Sequence, residues 1–228
     1  MRRTGCQFHW SNSGYRDFSD FLSALTSEKR KKIKQERRRV REAGIELEIL
    51  SGHHITEAQW KIFHDFYCST FAKKGGIASL TLEFFQEIGR TLADNVVLVL
   101  ARHQGHYVAG AFNLRGTATL YGRHWGCAAD FHSLHFECCY YAPMDYCIEH
   151  GLARFEAGAQ GEHKIARGFL PTPTWSAHWL AHPAFSRAVQ DFLARETIAV
   201  ESYMSELREH SPFTQESHIR LPGLPGDS

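Results

Sequence analysis

Apolar and polar positions in the first fifty residues predict a strand, two helices and another strand. Residues Cys6–Trp10 are predicted to form the first strand. Apolar residues then recur at helical spacing and predict an amphipathic helix: Phe18, Phe21, Leu22 and Leu25. A second helix is predicted from Glu28 to Ala43, because Gly44 is placed to end it. Residues 45–50 read Ile-Glu-Leu-Glu-Ile-Leu, which indicates a strand with one solvent-facing side.

The middle of the chain predicts two capped helices followed by an antiparallel meander. Thr56 and Thr81 are each placed to cap a helix with an apolar stripe. Three strands then follow in quick order: Val96–Arg102, Tyr107–Leu114 and Ala118–Trp125. The links between them are short and contain glycine, as in hairpins, so neighbouring strands are expected to run in opposite directions.

The last third of the chain predicts a helix, a strand that ends in a polar loop, and a long final helix. The first helix runs over Leu134–His150, and the strand and loop occupy Arg154–Pro171. An extended segment over Thr172–Trp179 and a helix over Phe185–Glu209 follow. This order of elements favours a mixed α/β sheet with helices on both faces.

The length of 228 residues is sufficient for one sizeable domain. We predict three segments: 1–52 with a helical pair, 53–210 as the main domain, and 211–228 as a flexible tail. The formal net charge is only +1, so no global basic field points to nucleic acid. Charge is concentrated locally, however, because the stretch from Glu28 to Glu42 holds nine Lys or Arg and three Glu.

Two interpretations of this basic helix are open. A helix that is polar on nearly all sides is usually a solvated rod held by a thin apolar seam. A contact with RNA is the alternative. The helix carries no interleaved aromatic residues, so its own sequence does not predict stacking on single-stranded bases.

Cysteine usage and hydropathy predict a soluble cytoplasmic protein. The six cysteines show no paired metal-binding spacing, and no apolar core follows the charged N-terminus. The longest apolar run, Val96–Ala101, is far too short to span a membrane. The pattern His132-x-x-His135 with Cys138 has no fourth ligand at a defined spacing, and we predict no metal. Cysteines within an apolar helix are usually inert, so Cys138 and Cys139 are not predicted to be nucleophiles.

The densest polar chemistry lies in the loop after the strand at residue 154. It reads Arg-Phe-Glu-Ala-Gly-Ala-Gln-Gly-Glu-His-Lys-Ile-Ala-Arg-Gly-Phe-Leu-Pro. Carboxylate, imidazole, ammonium and guanidinium groups are thus concentrated in a segment where packing does not explain them. We interpret this loop as part of a functional site.

Three stretches together resemble the FemAB-like branch of the GNAT acyltransferase superfamily. They are 25–44, which holds the basic helix; 122–141, which includes Gly-Arg-His-Trp-Gly and Leu-His-Phe-Glu-Cys-Cys-Tyr-Tyr; and 158–171, which includes Gly-Ala-Gln-Gly-Glu-His-Lys. The resemblance covers residues from about Thr4 to Glu196. It implies a GNAT-like fold with a central mixed sheet and an antiparallel meander. Two features depart from the family. Family members are longer, with another GNAT-like half before the position of Met1. In the wider superfamily a Lys tends to be followed shortly by Phe-Gly, whereas Lys164 here is followed by Gly168-Phe169.

The resemblance implies an N-acyltransferase that moves an acyl or aminoacyl group onto the amine of an amino-acid-like substrate or cell-wall precursor. The base that such a reaction needs is sought among Glu137, Glu156, Glu162 and His163, of which Glu137, Glu162 and His163 are assigned to catalysis. The donor would be held by Gly158, Gln160, Gly161, Lys164 and Arg167. The acceptor would be held by Tyr121, Arg123, His124, Tyr141 and Glu156. An alternative for Glu137 is a buried ion pair with Arg123 or His124.

The expected donor is an acyl-CoA or an aminoacyl-tRNA, with no permanently bound cofactor. No glycine-rich phosphate loop precedes Leu134, which counts against acetyl-CoA. The alternative function is a non-catalytic recognition module that binds a muropeptide, RNA or a protein partner.

Overall fold

The structure is a computed structural model that describes residues 1–158 and 161–214. Seven strands form one sheet in the order β2-β3-β4-β5-β6-β1-β7. The strands are β1 (Arg2–Ser11), β2 (Ile45–Ser51), β3 (Val96–His103), β4 (His106–Arg115), β5 (Thr119–Cys127), β6 (Arg154–Glu156) and β7 (Leu170–Ala177). β5 and β6 run parallel, and every other neighbouring pair is antiparallel. The predicted mixed sheet and its antiparallel meander are therefore confirmed.

Helices cover both faces of the sheet. They are α1 (Phe18–Ser23), α2 (Ser27–Glu42), α3 (Glu57–Lys73), α4 (Leu82–Thr91), α5 (Leu134–Phe136), α6 (Ala142–Glu149) and α7 (Pro183–Glu209). Thr56 and Thr81 cap α3 and α4 as predicted, and Thr56 forms a complete capping box. A π-helical turn (Glu137–Tyr141) joins α5 to α6, and a 3₁₀ turn (Glu162–Arg167) precedes β7. The predicted helix over 134–150 is thus interrupted where the backbone widens.

The apolar run of β3 is explained by burial on both of its faces. Val96, Leu98 and Leu100 pack in a cluster with the aromatic residues of α3 and α4. Val99 and Ala101 point to the opposite side, where they pack in a cluster that includes α2 and the helical segment around Cys138. Because helices cover both faces, β3 shows no alternation of polar and apolar residues.

The segment 1–52 contributes two strands to the sheet as well as a helical pair. β1 extends beyond the predicted Cys6–Trp10 because it pairs with β7 from Arg2 to His9. It also pairs with β6, so it lies inside the sheet. Of the predicted tail, Phe213 is buried and bridges to Leu25, while 215–228 lie outside the described residues. Within the described part of the chain, no helix is long and apolar enough to cross a bilayer.

Candidate functional site

The candidate site lies where the parallel pair β5 and β6 comes apart. The two strands pair only between Thr119–Tyr121 and Arg154–Glu156. On its other side, β5 has a bulge, since Phe112 pairs with His124 and Asn113 pairs with Gly122, which leaves Arg123 as the extra residue. Bulges redirect side chains next to active sites, and ligands of α/β sheets commonly bind beyond the carboxyl ends of parallel strands. The diverging strands therefore create a natural cavity.

The cavity has a volume of about 130 Å³. It is lined by β4, β5, the loop after β6 and the helical segment from α5 to the π-helical turn: Ala111, Phe112, Asn113, Gly122, Arg123, His124, Trp125, His135, Cys139, Tyr140, Ala157 and Gly158. Of the predicted site residues, Arg123, His124 and Gly158 meet here. No carboxylate lines the cavity in the described part of the chain, so a neutral or anionic ligand fits its walls better than a cationic one.

Tyr140 connects the cavity to His163 of the 3₁₀ turn. Its hydroxyl oxygen lies 2.9 Å from His163 Nε2, and the two rings also pack together. Burial, with Arg167 and Lys164 nearby, lowers the pKa of His163, so the imidazole is neutral near pH 7. Burial raises the pKa of Tyr140. A neutral imidazole bonded to a phenol can take up a proton through that hydroxyl.

Lys164 is a buried cation beside the same cavity. The residue is 2% exposed, and its Nζ donates to the carbonyl oxygen of Gly158 at 2.8 Å. Among the described residues it forms no ion pair. Burial lowers its pKa to about 8. An ammonium without a carboxylate partner is expensive to bury, and it is well suited to stabilise a ligand anion or a developing oxyanion.

His135 and Tyr140 are the two cavity residues with proton-transfer chemistry that were not predicted as parts of a catalytic site. Burial lowers the pKa of His135 to about 4, with contributions from His163, Arg167 and Lys164. The sequence offered His135 only as a metal ligand. It favoured Tyr141 over Tyr140, because nothing local shows which of two adjacent tyrosines faces the cavity.

The candidate base Glu137 does not line the cavity. Its carboxylate binds Arg37 of α2 at 2.8 and 3.1 Å, and Arg37 also binds Asp145 at 2.7 Å. The predicted alternative of a buried ion pair is therefore correct in kind but wrong in its partner, which is neither Arg123 nor His124. Burial raises the pKa of Glu137. The ion pairs of Arg37 with Glu137 and Asp145 hold α2 against the π-helical turn and α6.

Arg167 and Tyr141, predicted to bind donor and acceptor, instead meet Glu36 of α2 in the interior. Arg167 donates to Glu36 Oε1 and to the carbonyl oxygen of His163, both at 2.7 Å. Its guanidinium also lies 3.4 Å from the centre of the Phe136 ring. The Tyr141 hydroxyl donates to the other oxygen of Glu36. Arg167 is 4% exposed, so these groups position the 3₁₀ turn rather than meet a ligand.

The remaining predicted carboxylates and Tyr121 lie outside the cavity. Glu156 faces His9, 3.9 Å from its Nε2. Glu162 accepts a hydrogen bond from Tyr203 of α7 at 2.7 Å. Tyr121 lies beneath the guanidinium of Arg123.

The predicted donor-binding residue Gly161 directly precedes the 3₁₀ turn. Gly161 has φ +108° and lies against the His163 ring, where a Cβ atom would be 2.4 Å from Cε1. Glycine is therefore required for both conformation and space. Gln160 lies outside the described residues.

His132, His135 and Cys138 do not form a metal site, since the described residues contain no group of three His, Cys, Asp or Glu arranged to hold an ion. His132 lies against Arg39 and Ser133. Burial raises the pKa of the Cys138 thiol well above its usual value, which makes this cysteine a poor nucleophile.

A second, larger concavity lies between α1 and α2 and has a volume of about 830 Å³. We call it the α1–α2 cleft. Its walls are mainly Lys and Arg side chains, and the described residues that line it include no His, Tyr or Cys. General acid–base chemistry needs a group that titrates near neutral pH. Of the two concavities, the smaller cavity is the one lined by His and Tyr side chains that can take part in such chemistry.

The sheet is mixed, with β5 and β6 as its one parallel pair and a bulge in β5. This is the GNAT-like fold that the sequence resemblance implied. The FemAB-like family, described as peptidoglycan biosynthesis/recognition, matches residues 1–215. The chain belongs to this family.

Solved structures share the fold at low sequence identity. FemX superimposes with a TM-score of 0.56 at 12% identity, over 73% of this chain and 59% of FemX. L-PGS from Bacillus licheniformis gives 0.50 at 9% identity, over 69% of this chain and 48% of its own. The C-terminal domain of a proposed lysylphosphatidylglycerol synthetase from Agrobacterium fabrum gives 0.51 at 13% identity, with the same two shares. The chain thus spans about half the length of these proteins. No curated protein matches the sequence.

Proposed function

We propose that the protein is an N-acyltransferase that moves an aminoacyl or other small acyl group onto an amine of a cell-wall precursor. The observation that carries this proposal is that a proton acceptor and an uncompensated cation both contact residues lining one cavity, His163 through Tyr140 and Lys164 through Gly158. Tyr140 and His163 form the acceptor, and Lys164 is the cation. Membership of a family described as peptidoglycan biosynthesis/recognition supports the acceptor class.

The reaction requires an amine to attack the carbonyl carbon of an ester or thioester. As the N–C bond forms, the carbonyl oxygen becomes negative, and the ammonium of Lys164 stabilises it by charge and hydrogen bonding. The amine proton passes to the Tyr140 oxygen while the tyrosine gives its own proton to His163 Nε2. The tetrahedral intermediate then collapses, the C–O or C–S bond breaks, and the imidazolium returns the proton to the leaving oxygen or sulfur.

The cavity limits which acyl group can bind. A volume of about 130 Å³ is close to that of an engineered cavity of about 150 Å³ that holds benzene. A small side chain fits this space, and a long cationic one does not, because no carboxylate lines the described walls. The structural neighbour from Agrobacterium fabrum is named as a lysylphosphatidylglycerol synthetase. For this chain we propose transfer of an aminoacyl group that is small and uncharged, in contrast to a lysyl group.

The test is transfer of a radiolabelled acyl group to a muramyl peptide by the purified chain, with aminoacyl-tRNA and acyl-CoA as separate donors. Lys164→Met should reduce kcat by about 100-fold or more, since removal of one oxyanion donor typically costs about 10²–10³. Tyr140→Phe should reduce kcat by about 100-fold or more as well, since general acid–base catalysis typically contributes about 10²–10⁴. Tyr146→Phe is the matched control, because Tyr146 lies on α6 and binds Arg115 outside the cavity. Wild-type transfer that survives both substitutions would refute the assignment.

A recognition module without chemistry is the second candidate. It is favoured by the α1–α2 cleft, which is much larger than the cavity. If the chain binds a muramyl peptide but no donor yields product, while a longer family member is active under the same conditions, this second function replaces the first.

A further inference from the structure

One buried side chain in the wall of the candidate-site cavity has an acceptor atom that the protein does not use. Asn113 of β4 lines the cavity and is 1% exposed. Its Nδ2 donates to the carbonyl oxygens of Val97 at 3.2 Å and Ala111 at 3.4 Å. These bonds fix the amide, since the reverse orientation would place its oxygen against two other oxygens. In the described part of the chain, no group donates to Asn113 Oδ1.

This Oδ1 atom faces the space that Gly122 leaves in the cavity. It lies 3.5 Å from the point that a Cβ atom on Gly122 would occupy, and the Cα atom of Ala157 is 3.4 Å from the same point. Gly122 and Ala157 both line the cavity. A buried acceptor without a donor is costly, so the atom is suited to a ligand that brings an N–H or O–H group.

His135 is a second polar side chain of the cavity that forms no hydrogen bond with the described residues. Its ring packs edge-to-face against Trp125 and Tyr140, at centroid distances of 5.3 and 5.4 Å. Burial lowers the pKa of His135 to about 4, so the imidazole is neutral near pH 7. A neutral imidazole offers one N–H and one lone pair. Together, Asn113 and His135 present two acceptors and one donor.

An uncharged primary amine matches this set of groups, because it has two N–H donors and one lone pair. A hydroxyl group has a single donor, and a methyl group has none. An ammonium ion has no lone pair, and it would carry its charge beside Lys164 in a cavity whose described lining residues include no carboxylate. The walls therefore favour an amine in its neutral form.

An aminoacyl donor carries such an amine next to its reacting carbonyl. The ordinary pKa of an α-amino group is about 8, so its neutral form is accessible near pH 7. We propose that Asn113 Oδ1 and the His135 imidazole form a subsite that binds the uncharged α-amino group of the donor. The subsite selects aminoacyl groups against acyl groups of equal size without a nitrogen. Placing the donor in this cavity rests on the proposed function.

The experiment compares three stable donor analogues that carry an alanyl, lactyl or propionyl group through an amide bond. The three groups differ only in having an amino group, a hydroxyl group or a hydrogen atom at one carbon. One set is built on 3′-amino-3′-deoxyadenosine and a second set on the amino analogue of coenzyme A, so both donor classes are represented. Binding to the full chain is measured by isothermal titration calorimetry.

The test variants are Asn113→Leu and His135→Phe. Asn95→Leu is the matched control, because Asn95 Nδ2 donates to the carbonyl oxygen of Arg115 outside the cavity. Thermal unfolding checks that each variant is folded. If Asn113→Leu does not fold, His135→Phe decides the test, since a phenyl ring suits the aromatic surroundings of His135.

We expect the wild type and the control to bind the alanyl analogue about tenfold or more tightly than the propionyl analogue, because the propionyl group leaves buried polar groups unpaired. Both test variants should lower this ratio, and Asn113→Leu should bring it close to one. A structural defect alone would weaken all three analogues alike. An unchanged ratio in the folded test variants, or no binding of any analogue at millimolar concentration, would overturn the inference.

The protonation state of the bound amine has its own readout. At pH 7 most of the alanyl analogue in solution is an ammonium, so binding of the neutral amine should release about one proton more than binding of the propionyl analogue. Calorimetry in two buffers of different ionisation enthalpy counts these protons. The titratable side chains around the cavity are common to both complexes: Arg123, His124, His135, His163 and Lys164. Equal proton release from both analogues would overturn the proposed subsite.

Failure of the proposed function gives a different result. If the alanyl preference depends on Asn113 but no donor yields product, the subsite stands and the transferase proposal falls. If the wild type transfers alanyl and propionyl groups from the same carrier with equal kcat/KM, the transferase proposal stands and the subsite falls.

Discussion

Glu36 joins the basic helix α2 to the turn that carries His163 and Lys164. It lies on the buried face of α2 with Ile33 and Val40, and the side chains of Glu36 and Arg167 are 7% and 5% exposed. The carboxylate accepts from Arg167 on one oxygen and from Tyr141 on the other. Glu36→Ala would leave a buried guanidinium with only the carbonyl oxygen of His163 as an acceptor, and a buried hydroxyl without a partner.

The expected loss of stability is large because the pair is buried. Removing one partner from a buried ion pair typically destabilises a protein by about 3–5 kcal/mol, since the remaining charge cannot be solvated. Each kcal/mol lowers Tm by roughly 2–4 °C for a chain of this size. We therefore expect Glu36→Ala to lower Tm by about 6–20 °C.

The assay is urea unfolding followed by circular dichroism, with Glu42→Ala as the control on the same helix. Glu42 pairs with Arg38 at 3.5 Å, and both side chains are more than half exposed, so this variant should lose less than about 1 kcal/mol. A second comparison uses Arg167→Ala and the double variant, because the two losses should not add if the groups interact. If Glu36→Ala costs no more than Glu42→Ala, the buried pair does not hold this region together and the reasoning is wrong.

Two further predictions concern the cavity. Because burial lowers the pKa of Lys164 from 10.5 to about 8, the unfolded chain binds more protons than the folded one between those values, and this group's contribution to the unfolding free energy rises with pH there. Lys164→Met should therefore stabilise the protein at pH 7 by up to about 3 kcal/mol, with a smaller gain at pH 10; urea unfolding that shows no gain at either pH would contradict the burial argument. Gly126→Ala should prevent folding, because the added Cβ would lie 2.1 Å from the Phe66 carbonyl oxygen. A Cβ added at Gly122 would instead make ordinary contacts at 3.4 Å or more. Gly122→Ala should therefore reduce the unfolding free energy by less than about 1 kcal/mol while narrowing the cavity. Soluble expression, melting curves and the KM for the donor would check this pair, and a stable Gly126→Ala protein would count against the packing of β5 on α3.

The outcome for Glu137 and the basic helix shows where local reasoning fails. The Glu137 carboxylate forms a buried ion pair, as one of the two predicted alternatives had it. Its partner, Arg37, lies 100 residues away in the sequence. Interpreting α2 as a solvated rod describes only part of its surface, because Glu36 is buried against Arg167 and Arg37 binds the buried carboxylate of Glu137. Likewise the aromatic residue that lines the α1–α2 cleft is Phe18, which lies outside α2. In each case the missing information is which elements pack together.

Local sequence was sufficient to predict most of the elements and the class of fold. Hydrophobic periodicity, capping residues and short glycine-containing links act within a few residues, so the helices, the meander and the buried strand β3 could be predicted from local physics. The tertiary structure alone decided that β1 lies between β6 and β7, that Tyr140 rather than Tyr141 faces the cavity, and that Arg167 binds Glu36. These choices depend on strand register, on the π-helical turn and on contacts between distant segments, which local sequence does not encode because the free energy that fixes them is gained only when the elements pack.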